Sequence, residues 1–214
     1  CADNGVVEEG VTQTGQEVTA VVAENFTKSE TSVCKMAQIA GVDLFPIDIG
    51  MVSDVPGVTK KEYKIAPGTK NMTREAAMTR TEAIRAILTG IEIVGMLKSK
   101  SYEILATGEM GIGNTTTSSA MAAVFLNQPV PELTGRGAGL SSEGLARKIA
   151  AIEKAIAINL QSHIIPFISD LFPAGLHLPR IIHIIPFSTY ILPTGLHFAR
   201  TIHIIPIVFD LFPT

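Results

Sequence analysis

The residues best suited to chemistry lie in one short stretch, GEMGIGNTTTSSA, which runs from Gly108 to Ala120. Glycines let backbone N–H groups come close to a ligand, and a following helix adds uncompensated donors and partial positive charge. The hydroxyl groups of Thr115, Thr116 and Thr117 add further donors. The stretch therefore favours a site for a phosphate or another oxyanion. The alternative interpretation is a tight turn that holds no ligand.

The named nucleotide motifs do not fit this stretch. It has no Gly-Lys-Ser/Thr ending, and its spacing is G-x-x-G-x-G rather than G-x-G-x-x-G. These differences argue against a Walker-type NTPase and against a dinucleotide-binding fingerprint.

Two further features bear on an anion site. GRGAG, from Gly135 to Gly139, is a second glycine loop that leads into a helix, and Lys148 lies about two turns into that helix. The lysine could reach an anion as a point charge; taken alone, it is more typical of a solvated helix face. Glu109 is a carboxylate inside a loop suited to anions, so it would face a ribose hydroxyl or a reacting base, or else lie at the surface.

The elements that must position these residues alternate between strands and helices. Strands are predicted at Val42–Ile49 and at Tyr102–Ala106, the second of them buried. Helices are predicted at 17–26, 31–40, 73–98, 114–125 and from Ser141 or Ser142 onward. This order predicts an α/β fold, a Rossmann-like three-layer arrangement of a parallel sheet with helices on both faces. The first glycine loop would lie beyond the carboxyl end of a strand, where such sheets bind ligands.

The composition changes abruptly near Asn159, which predicts a domain at 1–159 and a separate tail at 160–214. The tail has no Lys and no Glu, and it holds all five histidines and seven of the twelve prolines. It repeats every 20 residues, beginning at His163, His183 and His203. Repeats of this length can form solenoids, but here only about two and a half units are present.

Several functions of the tail are disfavoured. The histidines share no common face and no carboxylate or thiolate in register accompanies them, so no metal site is expected. Prolines and histidines interrupt the apolar run, which argues against a membrane span. We expect that the tail is not native to the domain and arises from a translated tandem repeat or a frame change. A tail-driven interaction or membrane-attached protein stays an alternative.

The bulk composition excludes some partners. A net charge of −3 gives no reason to expect binding to nucleic acid or to an anionic membrane. Cys1 and Cys34 form no metal spacing and no disulfide framework, and no secretory leader is recognisable, so a cytoplasmic location is expected. The chain starts without Met, in a segment where a domain seldom begins, so we expect the N-terminus to be cut.

Four segments carry a family resemblance: CADNGVVEEGVTQTGQEVT, GTKNMTREAAMTRTEAI, ATGEMGIGNTTTSSA and TGRGAGLSSEGLARKIAAIEKAIAIN. Together they resemble nicotinate-nucleotide–dimethylbenzimidazole phosphoribosyltransferase, from Cys1 to about Asn159. The resemblance implies transfer of phosphoribose from nicotinate mononucleotide to 5,6-dimethylbenzimidazole, giving α-ribazole phosphate, a precursor of the cobalamin lower ligand, and nicotinate. It implies these two small molecules as substrates, no cofactor, and a homodimer in the intact family.

The resemblance also implies roles for particular residues. Glu109 would be catalytic and face the ribose and the reacting base. The nucleotide and its phosphate would be bound by Gly108, Met110, Gly111, Gly113, Asn114, Thr115, Gly135, Gly137 and Lys148. The base pocket would be bordered by Asp3, Asn4, Thr14 and Ile112.

The sequence departs from the family in places that bear on activity. Asn4 stands where some relatives have His, which argues against an essential imidazole there. The carboxylate usually assigned as general base lies in the C-terminal third of the family, which the repeat replaces here. We therefore expect weak nucleotide binding with impaired turnover, and the alternative is a non-catalytic module that binds a nucleotide or a benzimidazole.

Overall fold

The computed structural model describes residues 1–159. The predicted repeat tail at 160–214 lies outside the described residues. The chain begins with a 3₁₀ helix at Gly5–Glu9, and six α-helices follow in chain order. They are α1 at Glu17–Thr27, α2 at Ser32–Ala40, α3 at Arg80–Ser99, α4 at Asn114–Leu126, α5 at Val130–Leu133 and α6 at Ser142–Asn159.

The starts of α2, α3 and α6 follow from side-chain caps that the sequence predicts. The Thr31 hydroxyl accepts the Cys34 N–H at the start of α2, and Gly41 ends that helix in the left-handed conformation. Thr79 and Glu82 form a reciprocal capping box at the start of α3. Ser141 accepts the Gly144 N–H next to α6. Four of the five predicted helices are therefore confirmed with bounds within about two residues.

The helix predicted at 73–98 is wrong over its first turns, because α3 begins only at Arg80. The preceding residues are held in a turn by side chains rather than in a helix. Thr73 and Asn71 both donate to the Glu9 carboxylate, at 2.9 and 2.7 Å between heavy atoms. These contacts tie the turn to the 3₁₀ helix, so tertiary hydrogen bonds override the helical propensity of the segment.

The two predicted strands are also corrected. Residues 1–159 contain no strand; one parallel bridge joins Ala2 and Gly50, and Met78 also lies in a bridge. The end of the segment predicted at Val42–Ile49 lies beside Cys1: the Ile47 carbonyl accepts from the Cys1 amino group at 2.6 Å, and the Ile49 N–H donates to the Cys1 carbonyl at 3.0 Å. The segment Tyr102–Ala106 is irregular and mostly exposed, and Ile104 is 73% exposed. A strand needs a neighbour for its backbone groups, and no described segment pairs with this one.

The main hydrophobic core lies between α4, α6 and the 3₁₀ helix. Ile152 is fully buried in it, as its place on the predicted apolar stripe of α6 requires. The other buried members are mostly small: Val6, Val11, Met72, Ala77, Ala120, Ala123, Val130, Ala151 and Ala155. This packing fixes the N-terminus of α4 against the side of α6 that carries Lys148. In the part of the chain described, no helix is both long and apolar enough to cross a bilayer.

Candidate functional site

Lys148 is the most unusual charged residue of the described chain. It lies in α6 and is 1% exposed, so its interpretation as part of a solvated helix face is wrong. Its ammonium nitrogen donates to the Thr115 hydroxyl at 2.7 Å and to the Gly135 carbonyl at 3.2 Å. No carboxylate of residues 1–159 forms a salt bridge with it. Burial lowers the pKa of Lys148 from 10.5 to about 8.

A buried cation without a carboxylate partner is costly unless another anion reaches it. An ammonium group has three N–H donors, and protein oxygens accept two of those of Lys148. Within the described residues, the charge of the Lys148 ammonium is therefore balanced by hydrogen bonds to neutral oxygens and by no carboxylate.

The second glycine loop lies directly over this lysine. A Cβ atom at Gly137 would come within 2.9 Å of the Thr115 hydroxyl oxygen and 3.6 Å of the Lys148 nitrogen, and Gly137 has a φ of +56°. Glycine is therefore required here both by close approach and by backbone conformation. The structure thus brings together four of the predicted phosphate-binding residues: Thr115, Gly135, Gly137 and Lys148.

The N-terminus of α4 adds backbone donors beside this cluster. Its N-cap is Gly113, which has a φ of +94°, and no side chain caps the helix. The first turn is partly satisfied by the loop, because the Asn114 N–H bonds to the Gly111 carbonyl at 3.2 Å. The helix thus presents Thr115 and the positive end of its dipole to the same place as the lysine.

The loop from Met110 to Gly113 is held by its carbonyl groups. The Met110 carbonyl accepts the Ala2 N–H at 3.1 Å, and the Ile112 carbonyl accepts from the Asn4 side-chain amide at 3.1 Å. In a planar trans peptide unit, the N–H points in the opposite direction to the carbonyl that precedes it. The N–H groups of Gly111 and Gly113 are consequently directed away from residues 2 and 4.

The absence of a Cβ atom at Gly111 and Gly113 allows the loop to pack closely against the N-terminal segment. A Cβ at Gly111 would overlap the Ala2 carbonyl oxygen, and one at Gly113 would lie 2.9 Å from a methyl of Val7 and 3.0 Å from Cβ of Asn4. Close packing therefore explains why glycine occupies both positions. The direction of their N–H groups is a separate property, set by the hydrogen bonds of the carbonyls.

The predicted base-pocket residues lie in different environments. Asp3 and Asn4 are buried beneath the loop, with one Asp3 carboxylate oxygen accepting the Val52 N–H at 2.8 Å. Thr14 is exposed, and its carbonyl accepts from the Thr12 hydroxyl. The side chain of the adjacent Gln13 donates to the Gly139 carbonyl, which places this segment beside the second glycine loop.

The remaining predicted residues lie along the first loop. Gly108 and Glu109 are exposed, whereas Met110, Ile112 and Asn114 are half-buried. The order along the loop therefore runs from an exposed carboxylate, past apolar side chains, to the helix that reaches Lys148. No group of three or more His, Cys, Asp or Glu side chains suited to a metal ion occurs within residues 1–159.

This geometry agrees with the family to which residues 1–170 can be matched, whose model is described as "Phosphoribosyltransferase". The chain belongs to this phosphoribosyltransferase family. It is 50% identical over 161 residues to the nicotinate-nucleotide–dimethylbenzimidazole phosphoribosyltransferase of Ruminiclostridium cellulolyticum, covering 74% of this chain and 45% of the relative. The enzyme of the same name from Acetivibrio thermocellus is 48% identical over the same shares. The chain spans about 45% of the length of these curated relatives.

Solved structures give the same family. The crystal structure of CobT from Thermus thermophilus matches with a TM-score of 0.68 and 41% identity, over 73% of this chain and 47% of that one. A structure of nicotinate-nucleotide–dimethylbenzimidazole phosphoribosyltransferase from the same organism matches with a TM-score of 0.65 and 39% identity, over 73% and 46%. The likeness to these phosphoribosyltransferases is consistent with an α/β fold, although residues 1–159 carry few strand pairings.

The sequence did not indicate Thr19, which the structure places against the first glycine loop of this phosphoribosyltransferase. Thr19 is fully buried in α1, and its hydroxyl accepts the Ile112 N–H at 3.0 Å. Its only signal in the sequence is its place in GQEVT, a segment that carries the family resemblance. A threonine near the start of a helix is common, so nothing in its own surroundings distinguishes it.

Proposed function

We propose that this chain binds nicotinate mononucleotide, with the phosphate on Lys148, Thr115 and the two glycine loops. The observation that carries the proposal is the buried Lys148 ammonium, which forms no salt bridge with a carboxylate within residues 1–159. A phosphate dianion would accept from its third N–H and from the Thr115 N–H at the start of α4, since the Asn114 and Thr116 N–H groups are bonded to the Gly111 and Gly113 carbonyls. It would also supply the charge that offsets the cost of burying the lysine.

The reaction that we propose is the one named for the relatives, transfer of phosphoribose from nicotinate mononucleotide to 5,6-dimethylbenzimidazole. The bond from C1′ of the ribose to the nicotinate nitrogen breaks, and its electron pair stays on that nitrogen. The leaving nitrogen begins as a pyridinium and therefore needs no general acid. A new bond forms from C1′ to one benzimidazole nitrogen, and the benzimidazole loses its proton to a base.

Each of these residues would have a role that follows from its position in the site. Binding of the phosphate by Lys148 would anchor the nucleotide and hold C1′ in place for attack. Glu109, exposed on the first loop, is proposed to face the ribose and the incoming base. Met110 and Ile112 are proposed as apolar walls of the base pocket. The impaired turnover expected from the sequence is part of this proposal.

The finer architecture belongs to the same proposal. A parallel sheet with helices on both faces is supported by the backbone bonds that link Met110 to Ala2, Cys1 to Ile49, and Ile49 to Ile65. These segments lie side by side in the order expected of neighbouring strands. The division at Asn159, homodimerisation and a cytoplasmic location also stay predictions.

Binding and turnover are tested together on the 214-residue chain. Titration calorimetry with nicotinate mononucleotide should give heat for the wild type and for Lys154→Met, a control on the exposed side of α6, but not for Lys148→Met. Chromatography after addition of dimethylbenzimidazole then measures nicotinate release. Heat without nicotinate supports the alternative of a non-catalytic binding module. Equal binding by Lys148→Met and the wild type would refute the phosphate site.

A further inference from the structure

We propose that Thr19 is a positioning residue that aims the backbone donors of the glycine loop at the ligand. This inference rests on the proposed nucleotide binding and adds a residue that does not touch the nucleotide. Thr19 lies in the first turn of α1, far along the chain from the loop that it contacts. Its hydroxyl oxygen accepts the Ile112 N–H at 3.0 Å.

The hydrogen bond acts on the middle residue of the G-I-G segment. Both polar groups of the Ile112 backbone are bonded to protein, the N–H to Thr19 and the carbonyl to Asn4. Because peptide units are planar and trans, this fixes the orientation of the units on either side. The N–H of Gly113 shares a peptide unit with the Ile112 carbonyl, so it points away from Asn4.

Thr19 is itself held rigidly, as a positioning residue requires. It is fully buried, and its own N–H bonds to the Gln16 carbonyl at 3.0 Å. The Gln16 side-chain amide in turn donates to the Asn4 carbonyl at 2.9 Å. The two residues that grip Ile112 are therefore linked to each other through Gln16, and the loop is held by one connected network.

Without the Thr19 hydroxyl, the Ile112 N–H would lose its acceptor, and the loop would turn to find another. That rotation would misdirect the neighbouring amides while leaving Lys148 in place. A hydrogen bond is worth about 1 kcal/mol, which corresponds to somewhat less than about tenfold in affinity. We expect Thr19→Val to weaken binding of nicotinate mononucleotide by about five- to tenfold.

Three variants test the inference. Thr19→Val keeps the side-chain volume and removes the acceptor, and Thr19→Ser keeps the acceptor and should restore binding to within about twofold. The matched control is Thr89→Val in α3, because Thr89 is also a buried helical threonine but its hydroxyl donates to the Arg85 carbonyl of its own helix. Circular dichroism checks that each variant is folded, and calorimetry gives its affinity.

A spectroscopic readout separates positioning from a general loss of stability. Ile49–Gly50 and Ile112–Gly113 are the two Ile-Gly pairs in the sequence, so carbonyl ¹³C-Ile with ¹⁵N-Gly labelling isolates the Gly50 and Gly113 amides in an NMR spectrum. The Gly50 N–H is bonded to the Cys1 carbonyl and gives a reference resonance. The Gly113 N–H, which shares a peptide unit with the Ile112 carbonyl, gives the resonance to follow. Titration with inorganic phosphate or nicotinate mononucleotide should move this resonance in the wild type and in Thr19→Ser. The shift should be smaller in Thr19→Val at equal saturation.

The outcomes are distinct. If the wild type binds neither probe, the proposed function fails and this inference fails with it. If the wild type binds but the Gly113 resonance does not move, or if folded Thr19→Val binds as well as the wild type, the positioning role alone is overturned. If Thr19→Val does not fold, the inference is tested by the resonance shift of the wild type and by the affinity of Thr19→Ser. Absence of that shift would overturn the positioning role.

Discussion

Replacement of Lys148 by Met should make the protein more stable at pH 7 while it abolishes nucleotide binding. Burial lowers the lysine pKa from 10.5 to about 8, which corresponds to a penalty of about 3 kcal/mol on the charged form at neutral pH. Met fills a similar volume without charge. The variant loses two hydrogen bonds, to Thr115 and Gly135, each worth about 1 kcal/mol. A net gain of about 1 kcal/mol is therefore expected.

The pH dependence gives this prediction a sign that can be checked. Below pH 8 the folded protein carries the buried charge, and the penalty is fully present. Between pH 8 and 10.5 the folded state has lost the proton while the unfolded state keeps it, so wild-type stability rises with pH relative to the variant. The advantage of Lys148→Met should therefore shrink by about 1.4 kcal/mol per pH unit above pH 8.

Urea denaturation followed by circular dichroism at about pH 7 and about pH 9.5, on either side of the lowered pKa, measures the difference. Lys154→Met, which removes an exposed lysine from the same helix, controls for loss of a charge from α6. Nicotinate mononucleotide should raise the unfolding midpoint of the wild type and not that of Lys148→Met. The reasoning would be refuted if Lys148→Met were less stable than the wild type by the same amount at both pH values, since the ammonium would then be a structural contact without a burial penalty.

The other substitutions test single steps. Arginine stays charged, so the affinity of Lys148→Arg for nicotinate mononucleotide, measured by calorimetry, should not change between about pH 7.5 and 9.5. The affinity of the wild type should fall about tenfold per pH unit above pH 8. The same pH profile for both proteins would exclude titration of the lysine. Gly111→Ala should lower the free energy of unfolding by about 2 kcal/mol or more, because the added Cβ would overlap the Ala2 backbone. The control Gly90→Ala, which adds a Cβ in open space within α3, should raise the free energy of unfolding by about 0.5–1 kcal/mol. The opposite order of stabilities in urea denaturation would contradict the contacts at Gly111. Thr79→Ala should cost about 1 kcal/mol by loss of the capping box, and Thr79→Ser should not, as the same denaturation measurement would show.

The helices were predictable because their signals are local. The hydroxyl of Thr31, the left-handed Gly41 and the serines before α6 each act within one turn of the chain. The late start of α3 was not predictable in this way, because the preceding turn is held by the distant Glu9. A propensity summed over a window contains no information about such a partner.

The two strand predictions were wrong for a related reason. An apolar run such as Tyr102–Ala106 has the composition of a buried strand, but burial depends on what covers it, and Ile104 is exposed among the described residues. For Lys148 the sequence led to the opposite error, since a residue expected on the solvated face of the helix is buried. A lone lysine on a helix is ordinarily solvated, and only the packing of α4 against α6 shows that this one is enclosed by Thr115 and the loop over it.

The glycine loop shows why residue types alone left its role open. Gly111 and Gly113 are required by close packing against Ala2, Asn4 and Val7, which is the interpretation without a ligand. Separate hydrogen bonds turn the carbonyls of Met110 and Ile112 toward Ala2 and Asn4 and direct the glycine N–H groups away from those two residues. The close packing of the loop and the anion binding that we propose for it are thus compatible. Substitution of either glycine would disturb both, so only a change that leaves the packing intact, such as Thr19→Val, can separate them.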